Sequence, residues 1–200
     1  SITAKANRIL GFLKRNCSRI LPKTALKTLY LAFVRSHLGY CSQVWAPQSV
    51  IKNLLLIQSV QRRVTKFICF NLELNYRDRL YSLNLLPLNY WFEYLDLVFF
   101  FKCKMNEITI DLSNYLNFCS SRTRRGTTGL YIRGNTIPRT TTFRDSFFQR
   151  IVNMWNALPE DIKAASSLNI FKKKLKDLFY QRESGRHKNI QNNLCKVQKH

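Results

Sequence analysis

The chain has 200 residues, 46% of them hydrophobic, which supplies a core and excludes global disorder. Its 33 Lys and Arg against 11 Asp and Glu give a formal charge of +22. A field of that sign attracts polyanions and favours nucleic acid as a partner. The most apolar run, Leu95–Phe101, is interrupted by Asp96 and falls well short of the ~20 residues that span a bilayer, so no membrane partner is expected.

In chain order, residues 4–20 form a basic amphipathic stretch, with Ile9, Leu10, Phe12 and Leu13 set among Lys5, Arg8, Lys14 and Arg15. Pro22 breaks it and suits the first turn of a second helix. There Leu26, Leu29, Tyr30, Phe33, His37, Tyr40 and Cys41 share one face, with Thr28 and Arg35 opposite. This helix is expected to end at 45–47. Residues 49–70 show the cleanest partition. Leu54, Ile57, Val64 and Ile68 lie on one side, and Ser59, Arg62, Arg63 and Lys66 on the other. Gln61 falls on the apolar side and must find a hydrogen-bond partner. A short helix is expected at 76–83, and Pro87 then precedes a helix running to Met105. Its main face is Trp91, Tyr94, Leu97, Val98, Phe101 and Met105, but Phe92, Phe99 and Phe100 extend the apolarity nearly all round. Such a helix is central to a fold or covers another domain.

The texture changes at Ser120. Residues 120–142 are rich in Thr, Arg and Gly without helical period, and strands are expected at 130–133 and 136–141 around Gly134-Asn135. Thr142 with Asp145 is an N-cap signal for a helix faced by Phe148, Ile151, Trp155 and Leu158 and ended by Pro159. Phe171, Leu175 and Leu178 line a last helix. The expected fold is mainly α. It comprises a helical bundle over 1–106, a linker over 107–121, a small β-hairpin with two C-terminal helices over 122–181, and a basic unfolded tail over 182–200.

Cys17, Cys41, Cys69, Cys103, Cys119 and Cys195 are widely spaced in a chain with core enough to need no staples. Free thiols in a reducing compartment, nuclear or cytoplasmic, are the expectation. There is no Cys-x-x-Cys pair, and His187, Cys195 and His200 do not complete a zinc set. No cofactor is expected. Ser1 in place of a methionine suggests a fragment or a processed product.

Two-metal polymerase chemistry needs close paired carboxylates. The only adjacent acidic pair, Glu160-Asp161, follows Pro159 and reads as a helix start favoured by the macrodipole. There is no phosphate-binding Gly loop and no nucleophile elbow. His37 sits among apolar positions and reads as a core residue. The chain is therefore expected to be inactive on its own. Binding is better represented. The Arg62, Arg63, Lys66 stripe opposes an apolar stripe, the layout that docks on a core and presents cations to phosphates. Lys5, Arg8, Lys14 and Arg15 add to it by charge. Arg122, Arg124, Arg125, Arg133, Arg139 and Arg144 form a second series in hairpin texture. Tyr131 is the one aromatic there that does not read as helical core.

Two blocks carry a family resemblance. The first runs Leu29–Pro47 (LYLAFVRSHLGYCSQVWAP) and continues through Ser59–Lys66 (SVQRRVTK). The second includes Phe148–Pro159 (FQRIVNMWNALP) and Phe171–Leu175 (FKKKL). In this order they resemble the region downstream of the polymerase core in reverse transcriptases of LINE-type (non-LTR) retrotransposons, over about Ala4 to Leu178. The resemblance implies a thumb-like bundle that follows a palm and fingers. It implies a grip on RNA template, RNA–DNA hybrid or DNA during target-primed reverse transcription. Within the matching motifs it adds Arg35 and Gln61 to Arg62, Arg63 and Lys66 as contact residues, with Trp155, Asn156 and Phe171 as structural markers. The family's aromatic-x-Asp-Asp turn is absent. Ser36 stands where the family usually has Pro and Gly39 where it has Glu, which hints at a decayed or divergent copy. The alternative expectation is a structural or interaction module, with the 91–101 helix docking on a palm or another protein.

Overall fold

The computed structural model describes residues 2–17, 21–46, 51–70, 73–122, 128–137 and 140–197. Side chains at 51–52, 119–122, 128–130 and 186–197 are outside that description. The fold is mainly α with one small antiparallel hairpin. It divides into two compact units, Ser1–Leu95 and Asp96–His200.

The first unit is helical. Helix α1 (Ile2–Asn16) buries Ala6, Leu10 and Leu13. Helix α2 (Lys23–Leu29) runs into a π-helical turn, Tyr30–Arg35, and then α3 (Ser36–Gly39) and α4 (Ser42–Trp45). Helix α5 (Ile51–Cys69) and α6 (Tyr76–Ser82) complete it, with the start of α7 (Leu88–Lys104). Buried Val60, Val64 and Ile68 of α5 join Leu10, Leu26, Tyr30, Val34, Leu38, Leu88 and Phe92 in one core.

The π turn corrects the expected face of this region. A π turn holds more residues than an α turn, so the buried positions fall at Leu26, Tyr30, Val34 and Leu38, four apart. Phe33, Tyr40 and Cys41 stand exposed, and Arg35, expected on the far side, turns inward. Gly39 has its own reason. A Cβ there would lie 3.2 Å from a Leu95 methyl and 3.4 Å from the Trp91 indole nitrogen, so the glycine admits a close approach at which a side chain would make these neighbours give way by a few tenths of an ångström.

Helix ends are set by asparagines. Asn75 caps α6 by accepting from the Arg77 and Asp78 amides at 2.9 and 3.0 Å. Asn84 and Asn106, both left-handed, close α6 and α7 in Schellman geometry. The Leu85 amide donates to the Leu80 carbonyl at 2.9 Å and the Glu107 amide to the Lys102 carbonyl at 3.0 Å.

The second unit begins inside α7. Apolarity nearly all round that helix is consumed within the chain, since Tyr94, Leu97, Val98, Phe100, Phe101 and Cys103 are all buried. Phe101 stacks on Phe171 and Phe100 meets Trp155 edge-on at 4.9 Å. The segment expected as a linker carries a 3₁₀ turn, Leu112–Asn114, and most of β1 (Leu116–Arg122). Strand β1 pairs antiparallel with β2 (Thr128–Gly134), Leu116 opposite Gly134 and Phe118 opposite Ile132. The hairpin therefore lies N-terminal to the expected one. Gly134 ends a strand instead of forming the turn, and 136–137 are not strand. Then follow α8 (Thr141–Arg144), α9 (Phe147–Asn156), α10 (Glu160–Lys163) and α11 (Leu168–Val197). Thr142, expected to cap the helix faced by Phe148, instead lies inside the short helix α8, which Thr140 caps; the N-cap position of α9 is Ser146. The α9 face is Phe147, Arg150, Ile151 and Trp155, and α11 buries Phe171, Leu175 and Phe179. The backbone of 182–197 is helical where an unfolded tail is expected.

Candidate nucleic-acid interface

Helices α1 and α5 pack together and carry the largest group of expected contact residues. Lys5, Arg8, Lys14 and Arg15 on α1, and Arg62, Arg63 and Lys66 on α5, are all exposed. The first acidic residue of the chain is Glu73, so neither helix has a carboxylate side chain to offset these cations. That run without acids is legible in the sequence, where overall charge alone obscures it.

Local contacts position several of these cations. The Arg63 guanidinium donates to the Asn7 side-chain oxygen at 3.1 Å, tying α5 to α1. The Arg62 guanidinium lies over the Tyr76 ring, 4.7 Å from its centroid. The Lys14 ammonium lies 5.8 Å from the Phe67 centroid. Contacts of this kind are worth about 0.5–1 kcal/mol at exposed sites. They narrow where each charge is presented. Asn7 and Tyr76 are thus neighbours of these cations that charge patterning had no means to find.

Two expected contact residues are corrected. Arg35 is 6% exposed and Gln61 fully buried, so their side chains are not accessible to a phosphate backbone. Both donate to the same acceptor, the Leu86 carbonyl, at 3.3 Å from Arg35 and 3.1 Å from Gln61. The Gln61 oxygen accepts from the Tyr76 hydroxyl at 2.7 Å. The Arg35 guanidinium also lies 4.0 Å from the Trp91 ring centroid. This network pins the 84–87 connection between α6 and α7 onto α5. Tyr30 belongs to the same pocket. Burial pushes its phenol above the usual range, while the Arg35 charge and Gln61 pull in the other direction. The network indirectly holds Tyr76 under Arg62, so Arg35 and Gln61 support the basic face from behind.

The second series is dispersed. Arg133 on β2 and Arg144 at the end of α8 are exposed. Arg124, Arg125 and Arg139 lie outside the described residues, as does the side chain of Arg122. A further arginine, Arg150, is occupied in the core of the second unit. It meets the buried Asp96 carboxylate through Nε at 2.9 Å and Nη2 at 3.4 Å, and its Nη1 donates to the Asp145 carbonyl at 2.8 Å. Burial raises the Asp96 pKa, and the hydrogen bond and charge of Arg150 oppose the rise.

The structural markers have clear roles. Trp155 and Phe171 are fully buried. Asn156 exchanges hydrogen bonds with the backbone of Ile132, accepting from its amide at 3.0 Å and donating to its carbonyl at 2.9 Å. Glu160 and Asp161 occupy the first turn of α10. Among the described residues, no group of three or more His, Cys, Asp or Glu is placed to hold a metal ion, and no helix is long and apolar enough to cross a membrane. Cys17, Cys41, Cys69 and Cys103 are free thiols.

No family model, curated protein or solved structure matches this chain.

Proposed function

We propose that the chain binds nucleic acid through the basic surface of α1 and α5, as a non-catalytic, thumb-like part of a LINE-type reverse transcriptase. In that role it grips RNA template or RNA–DNA hybrid. The observation that carries the reading is an exposed set of seven cations on two packed helices that contain no acid. Unbalanced cations of this kind release counterions from a phosphate backbone, and that release supplies most non-specific affinity. The motif resemblance supplies the choice of polymer and the polymerase context.

Fluorescence anisotropy with RNA–DNA hybrid, duplex DNA and single-stranded RNA across a salt series tests it. Replacing Arg62, Arg63 and Lys66 together by Ala should lower the log–log salt slope on duplex DNA by about 0.9 for each phosphate no longer neutralised. A slope unchanged in the triple variant would sink the reading.

The interaction-module alternative also has an observation behind it. Leu55 and Leu56 on α5 and Phe12 on α1 are each more than half exposed, although α7, the helix first expected to dock, is buried in the chain's own cores. Self-association by light scattering that Leu55→Ser/Leu56→Ser abolishes, together with an unchanged salt slope, would favour that alternative.

A further inference from the structure

The hairpin of the second unit has two unlike faces. Side chains alternate along a strand; one face buries Leu116 and Ile132, with Phe118 beside them half-exposed. Gly134 shares that face, so close to α9 that an added Cβ would stand 3.3 Å from the Gln149 amide. The opposite face presents Asn117, Tyr131 and Arg133, all exposed. Tyr131 and Arg133 are two residues apart on one strand, so their side chains rise ~6.8 Å from each other on the same side.

Tyr131 is also held from beneath. The Lys163 ammonium, itself 3% exposed, lies 4.9 Å from its ring centroid and donates to the Asn156 carbonyl at 3.1 Å. Asn156 in turn clamps the neighbouring Ile132 backbone on both polar groups. The ring therefore sits on a strand whose position is fixed by side-chain hydrogen bonds, and about a third of the residue remains open, 36% by area. A cation against a π-system draws on its negative face. The opposite side then becomes a better partner for an electron-rich aromatic plane. Glu160 is the acidic group that interacts with Lys163. Arg133 supplies a cation beside the ring.

We propose that this face, Tyr131 with Arg133 beside it, is a stacking site for a nucleobase of single-stranded nucleic acid, Arg133 taking the adjoining phosphate. The basic face of α1 and α5 reads only charge; this site reads an aromatic plane that a paired duplex does not offer. The proposal rests on the nucleic-acid reading for its class of ligand, but its geometry lies wholly within the second unit.

The test uses the full chain and three fluorescent probes: a single-stranded oligoadenylate (RNA and DNA versions), the same backbone with abasic sites, and a DNA duplex. Tyr131→Leu should weaken base-bearing single strands about tenfold, the size of one stacking interaction, and leave the abasic strand and the duplex unchanged. Tyr131→Phe should bind as the parent does, and Arg133→Ala should weaken base-bearing and abasic strands alike. Full affinity of Tyr131→Leu for oligoadenylate overturns the proposal. So does a loss of the same size on all three probes, or a Tyr131→Phe variant as weak as Tyr131→Leu. If the duplex salt slope instead ignores the Arg62, Arg63 and Lys66 substitutions while Tyr131→Leu still discriminates bases, the α1/α5 reading falls and the stacking site stands.

Discussion

The two units bury polar side chains by different chemistry. In the first, Arg35 and Gln61 converge on one neutral acceptor, the Leu86 carbonyl, with Tyr76 completing the Gln61 amide. In the second, Asp96 is sealed against a near-bidentate Arg150. A carbonyl shared by two donors fixes a loop and tolerates the loss of one of them. A sealed ion pair does not, because removing either partner leaves a full charge out of water. The lesson is that the unit free of acid through its first 72 residues anchors its buried arginine on a backbone carbonyl and an indole face.

The sharpest way to break the comparison is Arg150→Met. Loss of one partner of a buried pair costs about 3–5 kcal/mol, and we expect a loss of that size in urea titrations followed by fluorescence, in which Trp155 reports on the second unit. The pH dependence fixes the mechanism. Asp96 already has a raised pKa, so its contribution to stability is present at low pH and is lost as pH rises through the folded value. Without Arg150 that pKa rises further. The deficit of Arg150→Met should therefore be largest near neutrality and shrink as the solution is acidified and Asp96 takes up a proton. A deficit independent of pH would mean that lost packing, not the carboxylate, causes it.

Gln61→Leu comes next. It leaves the Tyr76 hydroxyl without its acceptor while Arg35 still serves Leu86, so a loss of about 1–3 kcal/mol is expected. The duplex salt slope should be retained, because the side chain is buried. A folded Gln61→Leu protein with a reduced slope would return Gln61 to the contact surface. The smallest effect is expected for Asn156→Ala, about 1–2 kcal/mol for two backbone hydrogen bonds to a side chain. Hydrogen exchange should show it locally, as faster exchange at the Ile132 amide with little change in the core of the first unit.

How much of this was legible in the sequence differed by element. The α5 stripe was, because a regular 3.6-residue repeat separates Ile57, Val64 and Ile68 from Arg62, Arg63 and Lys66, and it even flagged Gln61 as a residue in need of a partner. The α2 face was not, because the π turn at Tyr30–Arg35 shifts the phase and nothing in the local pattern announces it. The pull on Arg35 comes from Leu86 and Trp91, more than fifty residues away. The hairpin was found but displaced, since Gly134-Asn135 is a strong turn dipeptide, whereas the true partner of β2, Leu116–Arg122, begins in the segment read as a linker. Of the expected interface, exposure could be read from the helical period at Lys5, Arg8, Lys14, Arg15, Arg62, Arg63 and Lys66. Motif resemblance misled at Arg35 and Gln61, where polar character serves folding.

The π turn has a consequence for how this chain tolerates changes in length. Six residues, Tyr30–Arg35, hold slack that an α-helix lacks. Each residue added to or removed from a helix rotates everything beyond it by ~100°. Deleting one residue between Leu31 and Val34 would let the turn tighten to α geometry and take up the change, leaving Arg35, Leu38 and Gly39 on the Leu86–Trp91–Leu95 side. A single-codon deletion here would therefore be absorbed, whereas the same deletion inside the regular helix α5 would act as a frameshift in three dimensions, with the reading frame intact and the packing out of phase.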